Sequence, residues 1–191
     1  MAKFKESKAY KYVNVRTMTA NGLIAALYAV VTIACGPLSY SFMQFRFSEA
    51  LNLLVFFNPS YTVGLTIGCL IANLFSSVGT LDIALGTATT LVACILMSIY
   101  SRYIKNLFFS GLFPCLANAA IVPLTIYWSS LGSDQEMSLS NTLYWTMFGW
   151  VLLGEVVAIY GLGYPLFMVL SKKNRMFYPM ILATRNTDFR W

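Results

Sequence analysis

Apolar residues gather along this chain in six stretches, at about 18 to 36, 40 to 57, 60 to 77, 82 to 101, 107 to 128 and 142 to 170. Each is near or above the roughly 17 residues an α-helix needs to cross a bilayer. The pattern predicts an all-α, polytopic integral membrane protein with six transmembrane helices. The second stretch is the least regular, because its apolar part, Ala50 to Phe57, is short and follows Arg46 and Glu49. Asn58-Pro59-Ser60 predicts a tight turn before the third stretch, with proline supplying the break. Ser77 to Leu81, containing Gly79, predicts another. Connections this short force antiparallel neighbours, while 37 to 45 and 129 to 141 leave room for longer loops.

Charge fixes the orientation and supports the second span. With six spans both termini lie on one side of the membrane. That side carries Lys3, Lys5, Lys8, Lys11, Arg16, Arg102, Lys105, Lys172, Lys173, Arg175, Arg185 and Arg190, which is twelve of the thirteen bases. The positive-inside rule makes it the cytoplasm; five spans would separate the two basic ends. The expected organisation is a basic cytoplasmic segment at 1–17, a transmembrane domain at 18–171 and a basic cytoplasmic tail at 172–191. The external loops then hold Asp134 and Glu136 and no base but Arg46. No cleavage-like site follows the basic start, so no removable signal peptide is expected.

Composition narrows the function classes. The chain has 191 residues, 58% of them hydrophobic and 10% charged, and a mean hydropathy of +0.67. Soluble domains carry charge on roughly a quarter of residues. Histidine is absent, which removes the Ser/His, Cys/His and HExxH chemistries. No catalytic residue is assigned and the chain reads as a non-enzyme. Cys35, Cys69, Cys94 and Cys115 fall in apolar stretches without CxxC spacing, so they read as small buried hydrophobes and no metal site is expected. No GxxxxGK[ST] loop occurs; if ATP drives a process here, another subunit binds it. Neither a cofactor nor a nucleic-acid partner is expected.

Against this background, ionisable groups inside apolar stretches are the candidate chemistry, because an intramembrane charge is costly and faces a bundle interior or a cavity. Arg46, Glu49, Asp82 and Glu155 are such groups, and the topology puts them toward the outer leaflet together with Asn73 and Asn118. Each has a structural alternative. Arg46 and Glu49, three residues apart, would neutralise one another on a helix. Asp82 follows a turn and would serve as an N-cap. Asn118, between Pro114 and Pro123, would bridge helices. Glu155 is hardest to dismiss, since Leu152, Leu153, Val156 and Val157 surround it and no base lies within a turn. Trp128, Trp145, Tyr127 and Tyr144 read as interface anchors; Trp150 and Tyr160 are candidates for stacking on a ligand or for lipid-facing packing.

The first stretch carries a second signal. Gly22, Ala25, Ala26 and Ala29 form a stripe of small side chains in its inner half, along which another helix can approach closely. The partner is either within the fold or a separate subunit near the cytoplasm.

Several of these residues resemble one family. Gln44-Phe45-Arg46-Phe47-Ser48-Glu49-Ala50, the Gly79-Thr80-Leu81-Asp82 turn, the Pro114-to-Asn118 segment, and Gly154-Glu155 with Gly161-Leu162-Gly163-Tyr164-Pro165-Leu166 are similar to the QueT family. The resemblance runs through all six stretches. It implies the substrate-binding S component of an energy-coupling factor (ECF) importer of a bacterial cell membrane, with a queuosine precursor as substrate. It further implies a transmembrane coupling subunit (the T component), docked on the small-residue surface around Ala25 and Ala29, and two cytoplasmic ATPases as partners.

A 7-deazaguanine bearing an aminomethyl group suits acids in excess of base. A carboxylate accepts two parallel bonds from adjacent N–H donors, a second pairs with the ammonium, and Arg46 or Asn118 donates to the carbonyl. Glu155 or Glu49 is expected to read the guanine-like edge and Asp82 to take the amine. A proton-coupled secondary carrier would use the same acids as a relay, although no inverted repeat is evident.

Overall fold

The computed structural model describes residues 15–40, 44–76, 79–104, 106–131 and 142–173, and these are helical almost throughout. Lys3, Lys5, Lys8, Lys11, Lys105, Asp134, Glu136 and the tail from 174 onward lie outside the described residues. Helix α1 spans Val15–Ala34 and stops where Cys35, Gly36 and Pro37 begin a single turn, α2 (Gly36–Ser39). Pro37 sits in its first turn, where the missing N–H costs nothing. Helix α3 covers Phe47–Phe57, the first part in 3₁₀ geometry over Phe47–Leu53. The Asn58 side chain closes it by accepting from the Ser60 N–H at 3.1 Å, and α4 follows over Thr62–Asn73. Gly79, at φ 93, provides the left-handed turn that glycine favours.

Three longer helices complete the bundle. Helix α5 begins with a π-helical turn, Asp82–Gly86, and continues through Thr87–Tyr103. Helix α6 takes in Leu107–Ser110 and Leu112–Leu131. Helix α7 runs over 142–173, with a π-helical stretch at Val157–Gly163.

Among the described residues, four helices are long and apolar enough to cross a membrane: Thr17–Ala34, Asp82–Tyr103, Leu107–Trp128 and Thr142–Val169. The second and third predicted spans are shorter than hydropathy suggested. Helix α3 is only roughly 20 Å long and α4 roughly 18 Å, against roughly 30 Å of hydrocarbon. For α3 the difference arises because residues 44–46 are not helical, and for α4 because the helix ends at Asn73 and a turn follows at 74–75. The Arg46 side chain is engaged with α4 and α5, as shown below.

Outward faces are apolar and interior ones partly polar, the reverse of a soluble protein. Leu23, Leu27 and Val30 of α1, Leu91, Val92 and Ile95 of α5, and Leu153 and Val157 of α7 are exposed. Buried instead are Thr32, Ser48, Glu49, Asn52, Asn73, Asp82, Asn118 and Glu155. The apolar core gathers around Phe56, Leu65, Cys69, Cys94, Met97, Leu107, Cys115 and Ile159. Three of the four cysteines are thus small core residues, and all four are free.

Helices α1 and α4 meet through glycine. A Cβ on Gly68 would lie 2.8 Å from the Ala25 carbonyl oxygen and from Tyr28 Cβ, and one on Gly64 only 2.6 Å from the Asn21 carbonyl oxygen. The Gly64 N–H donates to Asn21 Oδ1 at 2.8 Å. This GxxxG spacing lets the two backbones touch. It also divides the small-residue stripe of α1. Ala25 and Ala29 are buried at 6% and 5% exposure, Ala25 against α4, while Gly22 and Ala26 are exposed.

Candidate functional site

The predicted charged residues form two clusters, each built where regular α-helix is interrupted. Glu49 lies in the 3₁₀ part of α3, Asp82 opens the π-turn of α5, and Glu155 ends the regular part of α7 just before its π-helical stretch. Such interruptions free backbone geometry and recur at functional sites.

The first cluster is centred on Arg46. Its guanidinium donates from Nη2 to Asp82 Oδ2 at 3.1 Å, from Nη1 to Asn73 Oδ1 at 3.0 Å, and from Nε and Nη2 to Gln44 Oε1 at 3.1 and 2.7 Å. Ser76 Oγ donates to the same Asp82 oxygen, and Asn73 Nδ2 reaches the Asp82 backbone carbonyl at 3.1 Å. Gln44 adopts φ 47, uncommon for a residue with a Cβ, and from there its carboxamide meets Arg46. The alternatives weighed from sequence are therefore replaced. Arg46 pairs with Asp82, 36 positions away, and not with Glu49; Asp82 caps no helix, since residue Leu81 precedes the π-turn without a side-chain cap. The second Asp82 oxygen is buried, and a Cβ on Gly86 would lie 2.9 Å from it. Asp82 Oδ2 is thus taken by Arg46 and Ser76, while Oδ1 is buried without a hydrogen-bond partner.

The second cluster joins α1, α3, α6 and α7. Asn118 Nδ2 donates to Glu155 Oε1 at 2.8 Å, with the Glu49 carboxylate close by. The Tyr28 hydroxyl donates to Glu49 Oε1 and the Asn52 carboxamide to Glu49 Oε2. Next to them Thr32 and Ser48 hydroxyls bond at 2.6 Å. Glu49 is 1% exposed and Glu155 3% exposed. Glu155 Oε2 is buried without a hydrogen-bond partner. Neither acid has a basic side chain within ion-pair distance among the described residues; the ion pair found there is Arg46 with Asp82. Two carboxylates facing one amide, with one acceptor atom still open, will take hydrogen-bond donors and positive charge.

Trp150 and Tyr160 stand apart from both clusters. Trp150 is 43% exposed on the outer face of α7. Tyr160 donates its hydroxyl to the Phe108 carbonyl at 2.7 Å and rests its ring 4.8 Å from that of Phe108. Among the interface candidates Trp128 and Trp145 are exposed, but Tyr127 is buried and Tyr144 donates to the Ala120 carbonyl at 3.1 Å. Tyr28 and Asn52 were missed. Asn52 is the polar residue within the 50 to 57 stretch, one turn from Glu49, and that spacing was the available signal. Tyr28 carried none, since a tyrosine in an apolar helix is common.

Helices apolar on the outside and carboxylate-rich within make this an integral membrane protein with a polar interior of the solute-handling kind. Comparison with known proteins narrows the class. The QueT transporter family matches residues 18–172. A protein of Lactococcus lactis subsp. cremoris (strain MG1363), named queuosine precursor transporter QueT, is 32% identical over 162 residues, covering 82% of this chain and 89% of that protein. The chain belongs to the QueT transporter family, a family of transporters and not of enzymes. No solved structure matches it.

Proposed function

We propose that the chain is the S component of an ECF-type importer in a bacterial plasma membrane. It captures a queuosine precursor from outside, a 7-deazaguanine such as 7-aminomethyl-7-deazaguanine. The observation that carries the substrate class is the excess of acid over base at Glu49, Asn118 and Glu155, with Glu155 Oε2 open. In this reading Glu155 accepts from the paired N–H donors of the guanine-like edge, Glu49 faces the ammonium, and Asn118 orients both. Asp82, paired with Arg46, holds the segment at Gln44 to Arg46 against α4 and α5. The name of the Lactococcus relative supports the same substrate.

Helices α3 and α4 supply the second and third crossings of a six-span topology, and the basic ends face the cytoplasm. The chain has no phosphate-binding loop, so a T component and two cytoplasmic ATPases supply the energy. Their docking surface begins at a groove of about 560 Å³ beside α1 and α4, lined by Met18, Gly22, Val63, Ile67 and Arg102 among others. Gly22 and Ala25 supply the small residues of its lining; Ala26 is exposed elsewhere on α1 and Ala29 is buried.

The test is ligand identification by mass spectrometry on the tagged, purified subunit, together with analysis of the proteins it brings down. The proposal expects a bound 7-deazaguanine and two copurifying ATPases. Uptake in vesicles without ATPases, abolished by an uncoupler, would instead establish the proton-coupled carrier. A subunit that binds no 7-deazaguanine would remove the substrate assignment.

A further inference from the structure

Glu49 is gripped by two donors from different helices. The Tyr28 hydroxyl reaches one carboxylate oxygen from α1, and the Asn52 carboxamide reaches the other from within α3. Tyr28 and Asn52 are both at 0% exposure, so neither bond is shared with solvent. With each oxygen held by a separate group, the carboxylate cannot rotate about its terminal bond without breaking a buried hydrogen bond, and leaving such a group unpaired is costly. An ionised carboxylate accepts about four hydrogen bonds. Each Glu49 oxygen therefore keeps acceptor capacity, in a fixed orientation, beside the Asn118 carboxamide that is bonded to Glu155.

We propose that Tyr28 and Asn52 are positioning residues for the ligand: they lock the plane of the Glu49 carboxylate and so confer selectivity for a cationic 7-deazaguanine over its neutral nitrile counterpart. The inference rests on the substrate reading above. Its chemical basis is that a charge-assisted bond to an ammonium depends on where the acceptor oxygens point. A nitrile carries no donor and gains little from that orientation. Neither Tyr28 nor Asn52 touches the ligand, and both act through Glu49. Tyr28 also stands between Ala25 and Ala29 on the face of α1 that packs on Gly68 of α4, so its ring is fixed by the same glycine contact that brings the helices together.

The experiment is titration of purified protein with 7-aminomethyl-7-deazaguanine and with 7-cyano-7-deazaguanine, using the wild type, Tyr28→Phe, Asn52→Leu, Glu49→Gln and the Tyr28→Phe/Glu49→Gln double variant. Tyr28→Phe should weaken the aminomethyl ligand by about tenfold, the loss of one hydrogen bond to a charged group, and leave the nitrile ligand little changed. In the Glu49→Gln background it should add nothing, because residues acting through one contact are not additive. Equal weakening of both ligands, or a full additional loss in the double variant, would reduce Tyr28 to packing and overturn the inference; unchanged affinities would do the same. Asn52→Leu should reproduce the selective loss and decides the matter if Tyr28→Phe does not yield folded protein. A wild type that binds neither compound would instead overturn the substrate reading, and this inference with it.

Discussion

Two buried polar clusters lie three residues apart on α3 and the segment leading into it, and they are balanced in opposite ways. Around Arg46 one positive and one negative charge meet, with Gln44, Asn73 and Ser76 supplying further hydrogen bonds. Around Asn118 two carboxylates meet without a base in contact, and one oxygen is left open. A charge-balanced cluster in an apolar bundle holds helices together. An acidic cluster with an open acceptor is incomplete until something positive or donor-rich enters. Burial is the same in both, so it is charge balance that separates scaffold from site.

The largest expected effect breaks the first cluster. Arg46→Met leaves Asp82 buried and uncompensated, and should destabilise the subunit by about 3–5 kcal/mol, read as a large fall in melting temperature in detergent. Arg46→Met with Asp82→Leu should recover most of that loss, because replacing both charges removes the desolvation penalty as well as the attraction. If the double variant were as unstable as the single one, the cluster would be more than a paired scaffold.

A smaller loss is expected at the contact that supports the second cluster. Gly68→Leu must push α1 from α4, since even a Cβ there sits 2.8 Å from Ala25 and Tyr28 atoms. Overpacking of this kind costs about 1–3 kcal/mol. It should also weaken ligand binding through displaced Tyr28, and tight binding in a Gly68→Leu subunit would show that the α1 contact does not reach the site. Tyr160→Phe removes one hydrogen bond to the Phe108 carbonyl, worth about 1 kcal/mol, and Trp150→Leu alters only an outward face. Neither should change ligand affinity; a change at Tyr160 would extend the site toward the C-terminal end of α7, and one at Trp150 toward its N-terminal end.

Hydropathy was enough to read the helical membrane class, since runs as long as those of α5, α6 and α7 have few other solutions. It overestimated α3 because counting apolar residues does not register that Arg46 stands outside the helix and reaches Asn73 and Asp82. Pairing at 36 positions' separation is invisible to an i, i+3 rule, which is why Glu49 seemed the natural mate of Arg46. The choice of Glu155 and Asn118 rested on isolation in an apolar run, and the two side chains do meet. The small-residue stripe was legible as a place of close approach, but which half faced inward depended on Gly64 and Gly68, whose spacing on α4 had not been matched to α1. Of the stacking candidates, Trp150 lies five residues before Glu155 on regular helix and so faces another side, while Tyr160 follows across the start of a π-helical stretch that composition does not mark.

The most direct measurement of the central claim is titration of 7-aminomethyl-7-deazaguanine into purified wild-type and Glu155→Gln subunits whose melting temperatures are recorded alongside. Gln keeps the shape and the bond-forming capacity toward Asn118 but removes the charge and replaces one acceptor oxygen with a donor. The account predicts a loss of affinity on the order of 10- to 100-fold, the worth of a charge-assisted contact of about 1.5–3 kcal/mol, with little change in melting temperature. Equal affinity in the two proteins would contradict it and move the ligand away from the Glu49, Asn118 and Glu155 cluster.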